Sequence, residues 1–188
     1  MEQQPTSPQI VTLFGGARVS DDSQLYADSL LLGRLLADEG YAVATGGYMG
    51  TMEAALKGAL EAGGKTIGYT CVTFDDKLEP NPWVREERKC ATLPDRIQRM
   101  AIESAAFIIV HGGLGTLAEL TVVWNMMLIA EIPVRPLIIV GPEWPQVVYS
   151  TYNWTQLGSS ALALLTFTDT PQDAIDVLTR NSSAEQDA

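Results

Sequence analysis

Short, continuously apolar runs alternate with stretches of helical periodicity along the whole chain, and that alternation leaves few folds open. IVTLFG at residues 10–15, YAVAT at 41–45, KTIGYTCV at 65–72, AFIIV at 106–110, PLIIV at 136–140 and LLTFT at 164–168 all have strand length. A strand apolar on both faces needs cover on both, the condition of a parallel sheet enclosed by helices. The intervening patterns supply those helices. Ser23 caps one running to about Glu39, with Leu32, Leu35 and Leu36 on one stripe and Gly40 as its stop. Residues 51–62 place Met52, Ala55, Leu56, Ala59 and Leu60 at helical spacing. Thr92 is an N-cap, with Pro94 in the first turn and Asp95 at the capping-box position of a helix to about Ser104. Further helices are predicted over 115–129, 144–157 and 171–180, whereas 73–91, charged and holding Pro80 and Pro82, reads as a surface loop. With right-handed crossovers the chain becomes a doubly wound parallel α/β sheet, a Rossmann-like three-layer sandwich. One such domain is expected over residues 9–180, with disordered polar tails at 1–8 and 181–188.

The 188 residues suffice for one sizeable core, and a formal net charge of −11 argues against nucleic acid as a partner, because an acidic surface repels its backbone. A single phosphate held by local backbone dipoles is compatible with that charge. Cys71 and Cys90 lack metal-ligand spacing and read as buried thiols of a cytoplasmic protein. His111 is the one histidine, so no metal site is expected. The polar start MEQQPTSPQ lacks the apolar core of a signal peptide, and no apolar run is long enough to span a bilayer, so no membrane partner is expected.

Ligands of open α/β sheets bind beyond the carboxyl ends of the strands, and three of those ends are rich in glycine. They are Gly15, Gly16 and Ala17; Gly46, Gly47 and Gly50; and the run Gly112, Gly113, Leu114, Gly115 and Thr116. The last leads into a helix, whose first amides and dipole favour an anion while glycines let it approach. A nucleotide phosphate is the natural guest. Close helix–sheet packing explains Gly46, Gly47 and Gly50 almost as well. Glu119 follows Thr116 by three residues. It reads equally as the second half of a capping box or as a carboxylate facing a ribose, where it would stabilise positive charge and orient water. Arg96 and Arg99 lie one turn apart; either reaches a phosphate in principle, although Arg99 better suits an exposed basic face. A lone histidine at a strand end, such as His111, is more often a packing or hydrogen-bonding residue than an acid or base. Trp124, Met126 and Met127 suit a core or subunit interface.

GGYMGTMEAA at residues 46–55, and HGGLGTLAEL at 111–120 preceded by the helix bearing Arg96, resemble the LOG family. That family was long labelled "possible lysine decarboxylase"; its characterised members are cytokinin riboside 5′-monophosphate phosphoribohydrolases. The resemblance runs from about Ile10 to Gly141. It implies that Gly112, Gly113, Gly115 and Thr116 bind a 5′-phosphate and that Gly15, Gly16 and Ala17 line the nucleotide pocket. It further implies that Glu119 is the catalytic glutamate and Arg96 a catalytic or substrate-positioning arginine. The expected partner is a nucleoside monophosphate or another small phosphorylated ligand, with a homodimer or higher oligomer through the apolar helix around residues 124–128. The chain departs from the family pattern at His111 (a proline there), Ile97 (often a lysine) and Ala118 (the first glutamate of a pair). Lys57, Lys65, Lys77 and Lys89 sit in no pyridoxal-phosphate setting, so no cofactor is expected. The fold also resembles molybdenum-cofactor carrier proteins, and a non-catalytic carrier is the alternative reading.

Overall fold

The computed structural model describes residues 8–154 and 158–186. Its strands are β1 (Ile10–Phe14), β2 (Ala42–Thr45), β3 (Thr66–Gly68), β4 (Glu86–Glu87), β5 (Ala106–Ile109), β6 (Leu137–Val140) and β7 (Thr166–Thr168). They form one sheet in the order β4-β3-β2-β1-β5-β6-β7, with every neighbouring pair parallel. The chain winds from β1 out to one edge, returns to β5 beside β1, and winds out to the other. The two halves therefore part between β1 and β5, and this switch point opens a crevice at their carboxyl ends.

The helices are α1 (Gln24–Asp38), α2 (Thr51–Glu61), α3 (Leu93–Glu103), α4 (Leu114–Leu128), α5 (Glu143–Trp154), α6 (Ser159–Leu162) and α7 (Pro171–Gln186). Strand pleating sends alternate side chains to opposite layers. Val11, Leu13, Ile108 and Ile138 meet Leu32 and Leu36 of α1, Leu56 of α2 and Ile175 of α7. Phe14, Phe107, Ile109 and Ile139 meet Met100 of α3, Leu120 and Trp124 of α4 and Val148 of α5. The doubly wound three-layer sandwich is thus the observed architecture. The helix starts follow their sequence signals. Ser23 Oγ accepts the Tyr26 N–H (3.2 Å), and Thr92 and Asp95 form a reciprocal capping box (3.2 and 3.1 Å).

Several boundaries differ from expectation for identifiable reasons. The 73–91 segment is not loop throughout: Glu86 and Glu87 pair with Ile67 and Gly68 as a two-residue edge strand. A pair of charged residues carries no apolar pattern, so only the tertiary pairing reveals it. Residues 65–72 give three strand residues, followed by an isolated bridge between Cys71 and Cys90 and a 3-10 turn at Val72–Phe74. α6 was not foreseen, and α7 runs on to Gln186, into the stretch expected to be a disordered tail. The expected N-terminal tail and the end of the predicted 144–157 helix fall largely on residues 1–7 and 155–157, which lie outside the described residues. No described helix is long and apolar enough to cross a membrane.

Candidate active site

Three turns meet at the switch point and are locked by backbone bonds. Gly16 N–H donates to the His111 carbonyl (3.1 Å) and Val110 N–H to that of Phe14 (2.9 Å), joining the β1 and β5 turns. Thr51, opening α2, donates its N–H and its hydroxyl to the Gly16 carbonyl (3.0 and 3.1 Å), joining the β2 turn. Gly50 adopts φ +72, and a Cβ there would strike the Gly16 and Ala17 carbonyls.

These turns and α3 and α4 enclose a cleft of about 730 Å³. One end is walled by Gly15, Gly16, Ala17 and Arg18 from the β1 turn, facing His111, Gly112, Gly113, Leu114, Gly115 and Thr116. The apolar part of the lining comes from Tyr48, Met52, Phe74, Leu78, Leu93 and Ile97. Val19, Arg96, Ala118 and Glu119 complete the wall.

At the polar end α4 starts at Leu114, with Gly113 as N-cap and no side-chain cap bond. First-turn amides of a helix have no intrahelical acceptor, so this end suits an anion. Thr116 is consequently the third residue of α4 rather than its cap. The T-x-x-E capping-box reading of Glu119 is thereby corrected, since Glu119 points its carboxylate at Arg96 instead. Two of the glycines carry a sharper message. Among the described residues, a Cβ on Gly113 or Gly115 would meet nothing within 4 Å, and Gly113 has an ordinary φ of −98. Neither packing nor turn geometry demands glycine there; the missing methyls leave open cleft wall. Gly112 differs, because its Cβ would collide with Thr116.

Gly46, Gly47 and Gly50 are buried and do not line the cleft, in keeping with their packing alternative. Gly46 nevertheless serves the site indirectly: a Cβ there would run into the Arg96 guanidinium and come 2.7 Å from the Met52 sulfur.

Arg96, on the first turns of α3, and Glu119, on α4, are 5% and 8% exposed and meet at 3.2 Å, Nη2 to Oε1. The Arg96 Nε–H is buried and finds no acceptor among the described residues. Burial pushes the Glu119 carboxyl from its ordinary 4.5 up to about 7, with the Arg96 cation opposing that rise. The linkage has a definite sign. A carboxyl whose folded-state value is raised stabilises the fold fully below the unfolded value, near 4.5, and that contribution is lost as pH rises through about 7. Denaturant melts of the wild type between pH 5 and 8 should therefore show a decline, of about 3 kcal/mol at most, that Glu119→Gln flattens. An equal slope in both proteins would remove Glu119 as its source.

Arg99 lies on the outer face of α3, paired with Glu103 at 2.6 Å, as its basic-face reading expects. His111 is exposed at the cleft mouth. Trp124, Met126 and Met127 belong to the chain's own core, where Trp124 Nε1–H donates to the Ala161 carbonyl (2.8 Å). Arg18, Tyr48, Met52, Phe74, Leu78 and Leu93 were not anticipated as cleft residues. Arg18 directly follows the first glycine turn, which was signal enough; Phe74 and Leu78 sit in the stretch read as surface loop. The cleft contains no lysine, so pyridoxal phosphate, which enzymes hold through a lysine Schiff base, has no attachment in it.

Fold and cleft together define a Rossmann-like α/β protein with a built site at its switch point. The chain belongs to the family described as "Possible lysine decarboxylase", which it matches over residues 52–178, the family its glycine motifs resemble. It is 28% identical over 146 residues to the "Pyrimidine/purine nucleotide 5'-monophosphate nucleosidase" of Escherichia coli K12, covering 73% of this chain and 32% of that protein. The chain thus spans about a third of that relative's length. Among solved structures, the molybdenum cofactor binding protein of Rippkaea orientalis matches with a TM-score of 0.74 at 21% identity, over 94% of this chain and 98% of that one. The molybdenum cofactor carrier protein of Chlamydomonas reinhardtii matches at 0.70 and 24%, over 92% and 97%. At those identities the likeness is one of fold.

Proposed function

We propose that the chain is a LOG-type phosphoribohydrolase of the cytoplasm, cleaving the N-glycosidic bond of a nucleoside 5′-monophosphate to free base and ribose 5-phosphate. The observation that carries this reading is the buried Arg96–Glu119 pair, set in the wall of the same cleft about one helical turn from a main-chain anion cradle. A 5′-phosphate seated on residues 112–116 lays the ribose towards Glu119, and binding energy remote from C1′ then holds the reacting carbon in place. As the C1′–N bond breaks, its electron pair leaves with the base and positive charge develops at C1′. The Glu119 carboxylate stabilises that charge and takes a proton from the water that attacks C1′, while the departing base nitrogen gains a proton from solvent and Glu119 then returns its own to solvent, so that neutral base and ribose 5-phosphate leave. Arg96 holds Glu119 through Nη2 and offers its unpaired Nε–H to the substrate. The base occupies the apolar end, between Phe74, Leu78, Leu93 and Ile97. AMP and N6-modified, cytokinin-type AMP are the substrates to try first.

Incubation with a mixed nucleotide pool, followed by mass spectrometry of bound and released species, tests the reading. Free base with ribose 5-phosphate supports it. An intact ligand carried through purification supports the second reading, a carrier of a phosphorylated cofactor, to which the fold of the two cofactor-binding neighbours lends weight.

The proposal includes a homodimer, built on the outward face of α4. Val122 lies there exposed, with Ile129 exposed at the C-cap, and the helix carries no charge besides the buried Glu119. Light scattering should return twice the 20.4 kDa chain mass, and a value of one chain mass would remove the dimer.

A further inference from the structure

Tyr48 occupies an unusual place in the site. It stands in the β2 turn, is 3% exposed, and still lines the cleft. The Arg96 guanidinium lies over its ring, 5.8 Å from the centroid, within the range of a cation–π contact. Gly46 bounds the same guanidinium on another side and Glu119 on a third. The other end of Tyr48 is held as firmly. Its hydroxyl accepts the Cys71 N–H (2.9 Å) and reaches the Cys71 carbonyl (3.4 Å), while its own carbonyl accepts from Asn81 Nδ2 (2.6 Å). Between Cys71 and Asn81 runs the segment that puts Phe74 and Leu78 over the apolar end of the cleft, and the Phe74 ring meets Tyr48 edge to face at 5.8 Å.

We propose that Tyr48 is a positioning residue: its ring fixes the Arg96 guanidinium opposite Glu119, and its hydroxyl ties that pair to the segment covering the base end of the cleft. Burial raises the phenol above its ordinary value, so the hydroxyl is neutral near pH 7 and able both to accept and to donate. The ring and the hydroxyl do separate jobs, and substitutions separate them. Tyr48→Phe keeps the platform and releases the cover. Tyr48→Leu removes the platform, leaving the guanidinium free to drift and Glu119 without part of the charge that restrains its titration.

The inference rests on the hydrolase reading for its kinetic arm only. The decisive measurement is a carbon-13 NMR titration of the Glu119 carboxyl in ligand-free protein, which requires no turnover. Arg18, Tyr48, Arg96 and His111 are the titratable groups sharing the cleft with Glu119, and the substitutions change Tyr48 alone. Tyr48→Phe should titrate like the wild type. Tyr48→Leu should titrate about one pH unit higher, since loss of a neighbouring cation favours the neutral acid. Tyr48→Met, also without a ring, replaces it if the leucine variant does not unfold cooperatively. With AMP, Tyr48→Leu should lower kcat about tenfold or more with KM within about threefold, while Tyr48→Phe raises KM and spares kcat. An unchanged Glu119 titration in both ring-less variants overturns the proposal, whatever their melting temperatures. Absence of base release by the wild type removes the hydrolase reading and leaves the titration standing as the test of Tyr48.

Discussion

Glu119→Gln should abolish base release by a factor of about 10² to 10⁴ while leaving affinity for the nucleotide close to that of the wild type. The amide keeps the size of the carboxylate and still accepts from Arg96 Nη2, so the geometry at 3.2 Å survives. What disappears is the negative charge that the proposed function sets against C1′ and the group that would take the water's proton. Binding is spared because in the proposed function the phosphate sits elsewhere, at the amino end of α4 and Thr116. Chromatography of released base together with calorimetry of AMP binding makes the comparison. Loss of both rate and affinity would mean that Glu119 shapes the pocket rather than acting in it. Loss of neither would favour a carrier, for which this carboxylate has no chemistry to perform.

Gly115→Ala should move stability and ligand binding in opposite directions. Gly115 is the second residue of α4, and alanine in a helix is favoured over glycine by about 0.5–1 kcal/mol. Its methyl meets no atom of the described residues within 4 Å, so that gain is not offset by a clash there and Tm should hold or rise. The same methyl stands in the cleft wall where the proposed function seats a phosphate, and affinity for AMP should fall about tenfold or more, a change of about 1.4 kcal/mol. Gly112→Ala supplies the contrast: its Cβ collides with Thr116, so it should lose stability and binding together. Thermal melts and calorimetry on the two variants decide the matter. A fall in Tm for Gly115→Ala with unchanged affinity would return the glycine to a purely structural role.

Much of this molecule was legible in its sequence because burial on both faces writes a continuous apolar run. The IVTLF, AFII and LIIV strands were found that way, and the Thr92–Asp95 box marked the start of α3 to the residue. Elements without an apolar pattern were not legible. β4 is two glutamates whose pairing depends on β3 being in place, and α6 is a single turn. The site divided along the same line. The first and third glycine turns marked strand ends that line the cleft, but sequence alone could not choose between the two roles of Glu119, because T-x-x-E spells a cap and a site alike. The start of α4 at Leu114 and the approach of Arg96 from α3 remove the cap reading. Tyr48, Phe74 and Leu78 became cleft residues through a covering segment whose path is a matter of tertiary contacts.

The three turns at the switch point are fastened to one another chiefly through main-chain atoms. A grip built from backbone is indifferent to which side chains surround it, so it places little restriction on the rest of the wall. Arg18, Leu78, Ile97 and Ala118 are then free to vary independently of phosphate capture. If the proposed phosphate seat holds, a library randomised at those four positions would keep that handle, and selection could explore new heads on a constant tail. The same separation lets one scaffold drift between breaking a ligand and merely keeping it.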